Sequence, residues 1–391
     1  MRIETPAVES LTLLTHGEGG ENEKLIFKIL KRGERLEAAR DTEELADLGL
    51  RFDLTVPLAR YYANNHARLP NPLKAIQIGP VWRAERPQHG RFRQFTQCDI
   101  DILGVRSEVA EIELILATAD ALSAVGLGDL TVRVNDRRLL ASLARHCGFD
   151  EARFDAVFIA LDKLDKIEAA GVVKELLEEG HPGPAVNALM ALLEATTPAS
   201  TPTGLAQRLG DTVDGAAGQA LTRIIETVTG AAGRRFRVVF DPTLVRGMSY
   251  YTGPIFEIRH GNAASSIAGG GRYDRMVGKL LGHDVPATGF SIGFERVINI
   301  LLERGTAGVG RRARTAIVFD EDTAHLGAIL AMARDLWDDG GLVLLDLKAK
   351  RFGKQLQDLA SRGFDRVVVF DANGRARDAD LGARPEGERP A

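Results

Sequence analysis

Hydrophobic and polar residues alternate along two neighbouring stretches of the chain near residue 90. The first is IQIGPVWR (76–83) and the second is RFRQFTQCDIDIL (91–103), with the Pro/Gly-containing PQHG (87–90) between them. Successive side chains of a strand point to opposite faces, so this pattern predicts an antiparallel hairpin. One face of the second strand is mostly apolar. The other changes from cationic to anionic along Arg91, Arg93, Phe95, Gln97, Asp99 and Asp101.

Other stretches predict further strands and two long helices. An apolar stripe with an acidic first turn and a terminal glycine predicts a helix at 107–126, and TVRVND (131–136) alternates like a strand. Strand signals return at 234–245 and 250–260. GFSIGFERVINILLER (289–304) is predicted to be a core helix.

This order predicts a sheet domain in two parts around a helical insertion. The first part is 1–136 and the second is 233–305. Residues 137–232 consist of amphipathic helical pieces without strong strand signals, so they form the predicted insertion. TAGVGRRAR (306–314) is short, small and basic, and it is the predicted linker to a further domain.

The C-terminal part alternates strand and helix patterns in the order β-α-β-α-β. This order predicts a small parallel α/β domain over 315–372. Residues 373–391 are polar and rich in Gly, Pro and Arg, which predicts a disordered tail. The expected fold class is therefore α+β: an antiparallel sheet flanked by helices, a helical insertion and a small C-terminal parallel α/β domain.

Composition narrows the class of protein. The chain of 391 residues is 45% hydrophobic and 27% charged, as in globular proteins. Its net charge of −4 argues against nucleic-acid binding through bulk charge, although a local basic patch would escape this average. Two cysteines form neither a disulfide framework nor a cysteine metal site, and no histidine spacing fits a metal. Without a signal peptide or membrane-spanning run, we expect a soluble cytoplasmic protein without a protein-bound metal site.

The polar face of 91–103 allows two interpretations. A half-exposed strand with a solvated face is common in antiparallel sheets. The separation of charge also suits a ligand with an anionic and a cationic end. The guanidinium group of arginine can donate two hydrogen bonds to phosphate oxygens, and carboxylates accept hydrogen bonds from an ammonium or an imidazole. Arg83, at the end of the preceding strand, is equally open to a surface or a ligand-binding interpretation.

Three further segments carry candidate chemistry. LGLRFDLTVPLARYY (48–62) predicts a strand in which Arg51, Asp53 and Thr55 alternate with apolar residues. LVRGMSYYTGPIFE (244–257) places Arg246 before a glycine, as a hairpin turn or as a cation beside a ligand. The run GGGRYD (269–274) fits no established phosphate-loop pattern, and Arg296 requires an anionic partner or a helix-edge position.

Taken together, these segments resemble histidyl-tRNA synthetases, a family of class II aminoacyl-tRNA synthetases. RFDLTVPLARY resembles the family's amino-acid-binding strand, and WRAERPQHGRFRQFTQCDIDILG resembles class II motif 2. LVRGMSYYTGPIFE resembles the histidine-specific segment, and GGGRYDRMVGKLLGHDVPATGFSIGFERV resembles motif 3. The resemblance covers residues 3–305 well and the C-terminal domain more loosely.

The resemblance implies the site residues. Those expected to act on the reacting phosphate are Arg83, Arg246 and Arg296. Those expected to bind ATP are Arg83, Glu85, Arg91 and Arg296. Those expected to bind histidine are Asp53, Thr55, Gln97, Asp101, Tyr250, Tyr251 and Tyr273. Those expected near the tRNA acceptor end are Gln88 and Arg93.

The resemblance also implies activity and partners. A histidine–tRNA ligase activates histidine with ATP, accompanied by Mg²⁺, and transfers it to tRNA(His); the family implies a homodimer. Two alternatives stay open, both non-charging paralogues: a histidine-binding regulatory subunit of ATP phosphoribosyltransferase, and an amino-acid-activating enzyme with another acceptor. Compared with the family pattern, the chain is expected to be shortened at its N-terminus, to carry Ser249 where many members have Asp, and to have a reduced C-terminal domain.

Overall fold

The computed structural model describes residues 1–15, 23–42, 44–86, 92–195, 201–210, 215–246, 250–261, 266–304 and 312–381. The chain divides into two compact units, Met1–Ile300 and Leu301–Ala391, which are described separately. None of the helices within these described ranges has both the length and the hydropathy needed to span a bilayer.

The strands of the first unit belong to two sheets. They are β1 (Val8–Ser10), β2 (Lys28–Leu30), β3 (Ala46–Leu50), β4 (Leu73–Trp82), β5 (Gln94–Leu103), β6 (Leu130–Asp136), β7 (Phe236–Phe240), β8 (Pro254–His260), β9 (Ala268–Arg272) and β10 (Ala287–Gly293). The small antiparallel sheet has the order β1-β3-β2, and the large sheet has the order β4-β5-β10-β9-β8-β6-β7. All neighbours in the large sheet are antiparallel except β6 and β7.

Helices surround the large sheet and form the insertion. They are α1 (Leu11–Thr15), α2 (Glu34–Glu37), α3 (Thr55–Asn65), α4 (Val109–Ala124), α5 (Arg137–Cys147), α6 (Phe154–Leu161), α7 (Leu164–Glu178), α8 (Gly183–Glu194), α9 (Pro202–Leu209), α10 (Gly215–Ala232), α11 (Asp274–Leu281) and α12 (Phe294–Glu303). Helices α5 to α10 occupy the connection between β6 and β7, and the described residues of that connection contain no strand.

Local sequence signals explain where the insertion begins. The side chain of Asp136, at the end of β6, accepts a hydrogen bond from the backbone N–H of Arg138 and caps the first helix of the insertion. That helix ends at Gly148, whose φ of 89° is the left-handed conformation that glycine adopts easily. The predicted change from strand to helix at residue 137 is therefore confirmed.

The C-terminal unit contains a four-stranded sheet. Its elements are β11 (Arg314–Phe319), α13 (Leu326–Asp338), β12 (Leu342–Leu347), α14 (Phe352–Ser361), β13 (Arg366–Phe370) and β14 (Ala376–Ala379). β11 pairs in parallel with β12 and β13, as the β-α-β-α-β pattern predicts. The mixed α+β class expected for the whole chain is confirmed.

The predicted C-terminal tail begins too early, because β14 lies within it and pairs antiparallel with β13. The Asp371 carboxylate accepts hydrogen bonds from the backbone N–H groups of Asn373 and Arg375, which closes the turn between the two strands. Arg366 then pairs with Asp378 at 2.6 Å across them. The polar composition of β14 gave no strand signal in the sequence. Only residues 382–391 of the predicted tail lie outside the described residues.

Two secondary-structure predictions near the site are also wrong. Residues 51–54 are not in a strand, and Thr55 begins helix α3. The glycine run, for which no element was predicted, forms the buried strand β9. The predicted helix at 289–304 is strand β10 up to Gly293 and becomes helical only from Phe294. In the first case, the Oδ1 atom of Asp53 accepts a hydrogen bond from the backbone N–H of Val56, so a carboxylate assigned to a strand face stabilises a helix start.

Candidate functional site

Two adjoining cavities lie along the large sheet of the first unit. The smaller has a volume of about 100 Å³, and its lining comes from β5, β9, β10, the start of α3 and the Tyr250-Tyr251 segment. The larger has a volume of about 640 Å³ and reaches from β5 and the residues that follow β4 to the α6–α7 turn. Residues that line both cavities mark the junction between them: Arg83, Gln97, Arg246, Gly269 and Ser291.

The smaller cavity contains three buried carboxylates. Asp53, Asp99 and Asp101 are 2%, 2% and 3% exposed. Each has an oxygen that is buried without a hydrogen-bond partner among the described residues: Oδ2 of Asp53, Oδ1 of Asp99 and Oδ2 of Asp101. The Oε1 atom of Gln97 is also buried without a hydrogen-bond partner among the described residues. Buried polar atoms in proteins are normally paired, so four unpaired acceptors in one cavity indicate a site for a ligand rich in N–H groups.

Burial also changes how these carboxyl groups titrate. Burial raises the pKa of Asp53 to about 6, with opposing contributions from the Val56 N–H and Arg83. It raises the pKa of Asp101 to about 7, although a hydrogen bond from Tyr273 acts in the opposite direction. The pKa of Asp99 is raised well above its ordinary value by burial and by the neighbouring Asp101. A cation in the cavity would favour the ionised form of all three groups.

Three tyrosines line the same cavity. The hydroxyl of Tyr273 donates a hydrogen bond to Oδ1 of Asp101 at 2.5 Å. The ring centroid of Tyr250 is 4.8 Å from that of Tyr251 and 6.1 Å from that of Tyr273, both in edge-to-face geometry. Aromatic rings beside a carboxylate form a surface on which a flat, N–H-bearing ring can lie.

Two arginines stand at the junction of the cavities. The Nε of Arg83 donates to the carbonyl oxygen of Phe52 at 3.1 Å, and its guanidinium lies 5.0 Å from the ring centre of Phe95. A terminal nitrogen of Arg246 is 3.5 Å from Oε2 of Glu257, and its buried Nε has no hydrogen-bond partner among the described residues. A side chain at position 269 would begin 2.5 Å from this guanidinium, so only glycine leaves Arg246 in place.

The larger cavity mixes arginines with carboxylates. Arg296 donates to the carbonyl oxygen of Ser266, and Glu295 accepts from the backbone N–H of Thr96 at 2.8 Å. Glu257 accepts from Arg133 at 3.2 Å and from Arg259 at 3.1 Å. Glu257 also faces Arg246. Its carboxylate therefore contacts an arginine at the junction as well as two arginines that line the larger cavity.

The structure brings most of the predicted site residues together. The smaller cavity contains Asp53, Thr55, Gln97, Asp101, Tyr250, Tyr251 and Tyr273, and the larger contains Glu85 and Arg296, with Arg83 and Arg246 at the junction. Arg93 lines neither cavity, and its Nε donates to the carbonyl oxygen of Glu85. Gln88 and Arg91 lie outside the described residues.

Sequence reasoning missed Asp99, Glu257 and Ser291. Asp99 lies on the correctly predicted polar face of β5, so the alternation could have indicated it. Glu257 is an isolated carboxylate in an apolar strand, and Ser291 lies in a segment predicted as helix, so neither had a usable signal. Among the described residues, no group of three or more His, Cys, Asp or Glu side chains is arranged to hold a metal ion.

A comparison with known families decides the classification. The family model described as "Histidyl-tRNA synthetase" matches residues 1–297, a range that contains every site residue named above. The chain belongs to the histidyl-tRNA synthetase family. The family predicted from the four motifs is therefore confirmed.

Relatives of the family agree with this membership along most of the chain. The histidine–tRNA ligase of Leifsonia xyli is 48% identical, in an alignment covering 97% of this chain and 89% of that ligase. The solved histidyl-tRNA synthetase of Nostoc sp. PCC 7120 has a TM-score of 0.72 and 27% identity, covering 97% of this chain and 88% of that one. An ATP phosphoribosyltransferase regulatory subunit/histidyl-tRNA synthetase from Bacillus halodurans has a TM-score of 0.71 at 23% identity, which shows the shared fold alone.

Proposed function

We propose that this chain is a histidine–tRNA ligase that forms histidyl-adenylate from histidine and ATP and then transfers the histidyl group to tRNA(His). The observation that supports this most directly is the arrangement of the two cavities. A small pocket lined by buried acceptors opens into a larger cavity lined by arginines and carboxylates, and Arg83 and Arg246 lie where the two meet. Two substrates held in this way would present their reacting atoms to each other at the junction.

The first half-reaction joins two anions. A carboxylate oxygen of histidine attacks the α-phosphorus of ATP, a new O–P bond forms, and the bond to the pyrophosphate leaving group breaks. Fixed cations at this point stabilise the charge that develops in the transition state, and they need no reorganisation as it forms. Arg83 and Arg246, which line both cavities, would take this role, and Arg296 would hold the outer phosphates in the larger cavity.

The smaller cavity would select histidine. Asp101 and Tyr273 are hydrogen-bonded at one end, where they would receive the imidazole beside Tyr250 and Tyr251. Asp53, Thr55 and Gln97 would bind the ammonium group. A ligand without a matching N–H would leave buried carboxylates unpaired, and such mismatches are penalised strongly.

The larger cavity would bind ATP, with Glu85 and Arg91 at the adenine and outer phosphates. Mg²⁺ prefers oxygen ligands, and Glu257 and Glu295 offer carboxylate oxygens on this cavity. Because Glu257 is already shared among arginines and Glu295 accepts from Thr96, most oxygen ligands of a magnesium ion accompanying ATP would come from the phosphates.

Several wider assignments rest on the family. Gln88 and Arg93 would lie near the acceptor end of tRNA, and the C-terminal domain at 315–372 would resemble an anticodon-binding domain. The chain would act as a homodimer in the cytoplasm. The catalytic domain would comprise 1–136 and 233–305, with the insertion at 137–232.

Two assays on one preparation test the proposed function. Histidine-dependent exchange of pyrophosphate into ATP reports activation, and charging of tRNA(His) reports transfer. We expect both. Absence of exchange would favour a purely histidine-binding regulatory role, and exchange without charging would favour an activating paralogue with another acceptor.

A further inference from the structure

The acceptors in the smaller cavity outnumber those that the family resemblance explains. Its buried, unpartnered acceptor atoms are Oδ2 of Asp53, Oε1 of Gln97, Oδ1 of Asp99 and Oδ2 of Asp101. Histidine with a neutral ring offers four N–H groups, three on the ammonium and one on the imidazole. Four donors therefore face four acceptors, and one of the acceptors belongs to Asp99.

The geometry of β5 orders three of these acceptors. Gln97, Asp99 and Asp101 alternate on one face, and successive members are separated by roughly 6.5 Å along the strand. Gln97 lines the junction with the larger cavity, whereas Asp101 lies at the opposite end, where Tyr273 donates to it. Asp99 is between them.

The order of groups in histidine matches the order along the strand. Its ammonium is on the carbon between the carboxylate and the imidazole-bearing methylene. With the carboxylate directed toward the junction of the two cavities and the imidazole at Asp101, the ammonium comes to the middle of the strand. Asp53 reaches the cavity from the start of α3, so it approaches from a different element than Asp99 does.

We propose that Asp99 is an amino-acid-binding residue that accepts one N–H of the substrate ammonium, together with Asp53 and Gln97. This inference rests on the proposed function and extends it to a residue that the motifs did not assign. Three acceptors from two elements would enclose a tetrahedral ammonium, and Thr55 lies in the lining of the same cavity beside them.

The surroundings of Asp99 are compatible with this role. Its strand partners are Gln77 on β4 and Ser291 on β10, and both are uncharged. Arg83 is the cation that acts on Asp99, while Asp53 and Asp101 are the neighbouring anions. Binding a cationic ammonium would relieve the repulsion among these three carboxylates, which is a reason for placing Asp99 in a cavity instead of an apolar core.

The test compares Asp99→Asn with Asp101→Asn, which remove the same charge from the same cavity. Calorimetry measures the dissociation constants of histidine and histidinol, which carry the ammonium. Inhibition of pyrophosphate exchange measures the affinity of the deamino analogue, imidazolepropionate. We expect Asp99→Asn to weaken the binding of histidine and histidinol by about 10- to 100-fold and to change the affinity for imidazolepropionate by less than about twofold. Asp101→Asn should weaken the binding of all three ligands, because each has the imidazole.

Other outcomes would overturn the assignment. If Asp99→Asn weakens the binding of histidine and of imidazolepropionate equally, or weakens the binding of neither, Asp99 does not face the ammonium. If thermal unfolding shows that Asp99→Asn is misfolded, Asp99→Ser is measured against the same three ligands. Failure of the unmutated chain to bind histidine would overturn the proposed function itself and this inference with it.

Discussion

Replacement of Arg246 by alanine should remove most of the pyrophosphate exchange activity while histidine still binds. Arg246 stands at the junction of the two cavities, where the attacking carboxylate and the α-phosphate would meet. Loss of one preorganised donor to a transition state costs about 3 to 4 kcal/mol, which corresponds to a rate reduced by about 100- to 1,000-fold.

The fold should tolerate this change. Arg246 contacts Oε2 of Glu257, whereas Oε1 keeps hydrogen bonds from Arg133 at 3.2 Å and Arg259 at 3.1 Å, so the charge of this carboxylate stays paired. Histidine affinity should therefore change by less than about tenfold, since the histidine-binding carboxylates are retained.

The assay is the initial rate of histidine-dependent exchange at saturating histidine and ATP, with calorimetry for histidine affinity. Arg237→Ala is the matched control, because it removes an exposed arginine that lies on β7 of the same sheet and lines neither cavity. An Arg246→Ala variant that exchanges at the full rate would refute the role assigned to Arg246. Loss of histidine binding together with activity would show that Arg246 holds the amino acid instead of the transition state.

Three further predictions concern the walls of the two cavities. Asp101→Ala should weaken histidine binding by about 10- to 100-fold, through loss of a charged hydrogen bond, and unchanged affinity by calorimetry would contradict the imidazole role. Because burial raises the pKa of Asp101 to about 7, its carboxyl is mostly protonated at pH 6. The protonated form accepts an N–H more weakly than the carboxylate does, so histidine should bind up to about tenfold more weakly at pH 6 than at pH 8. The ligand's imidazole titrates in the same range, so the reference is Asp101→Asn, and an equal pH dependence in that variant would count against the explanation. Lys166 lines the larger cavity, whereas Lys163 pairs with Glu175. Lys166→Met should therefore raise the KM for ATP several-fold and leave the KM for histidine unchanged, and Lys163→Met should raise neither KM. A larger rise in the KM for ATP with Lys163→Met than with Lys166→Met would exclude Lys166 from the ATP site.

Alternation of polar and apolar residues predicted strands correctly where the two faces of a strand differ in their surroundings. The hairpin of β4 and β5 follows directly from it, because period-two patterning and a Pro/Gly turn act together. The same reasoning identified the polar face of β5, on which Gln97 and Asp101 line the smaller cavity. The parallel order in the C-terminal unit was equally predictable from alternating strand and helix patterns.

Alternation failed where burial is complete on both faces or where a side chain caps a helix. β9 is buried at every position and consists largely of glycine, so no pattern distinguishes it from a loop. Gly289 on β10 is required because a side chain there would collide with Oδ1 of Asp101, a contact between distant segments. Asp53 was assigned to a strand because its neighbours alternate by chance, although its carboxylate stabilises the start of α3.

Long-range pairing explains why the site could be assembled only from the folded chain. Asp101 meets Tyr273, and Gln97 donates to Ser291 at 2.9 Å, across segments that are far apart in sequence. The family resemblance grouped Asp101, Tyr273 and Gln97 but not Ser291, whereas spacing alone left the polar face of β5 open to a solvated interpretation.

The most direct test of the central claim is exchange of labelled pyrophosphate into ATP by the full chain, measured with histidine and with each other amino acid in turn. Joined cavities for histidine and ATP predict rapid exchange that depends on histidine and is at least 100-fold slower with the other amino acids, about the discrimination expected of a site that pairs buried acceptors with substrate N–H groups. Exchange that does not depend on histidine, or no exchange at saturating ATP and histidine, would contradict it.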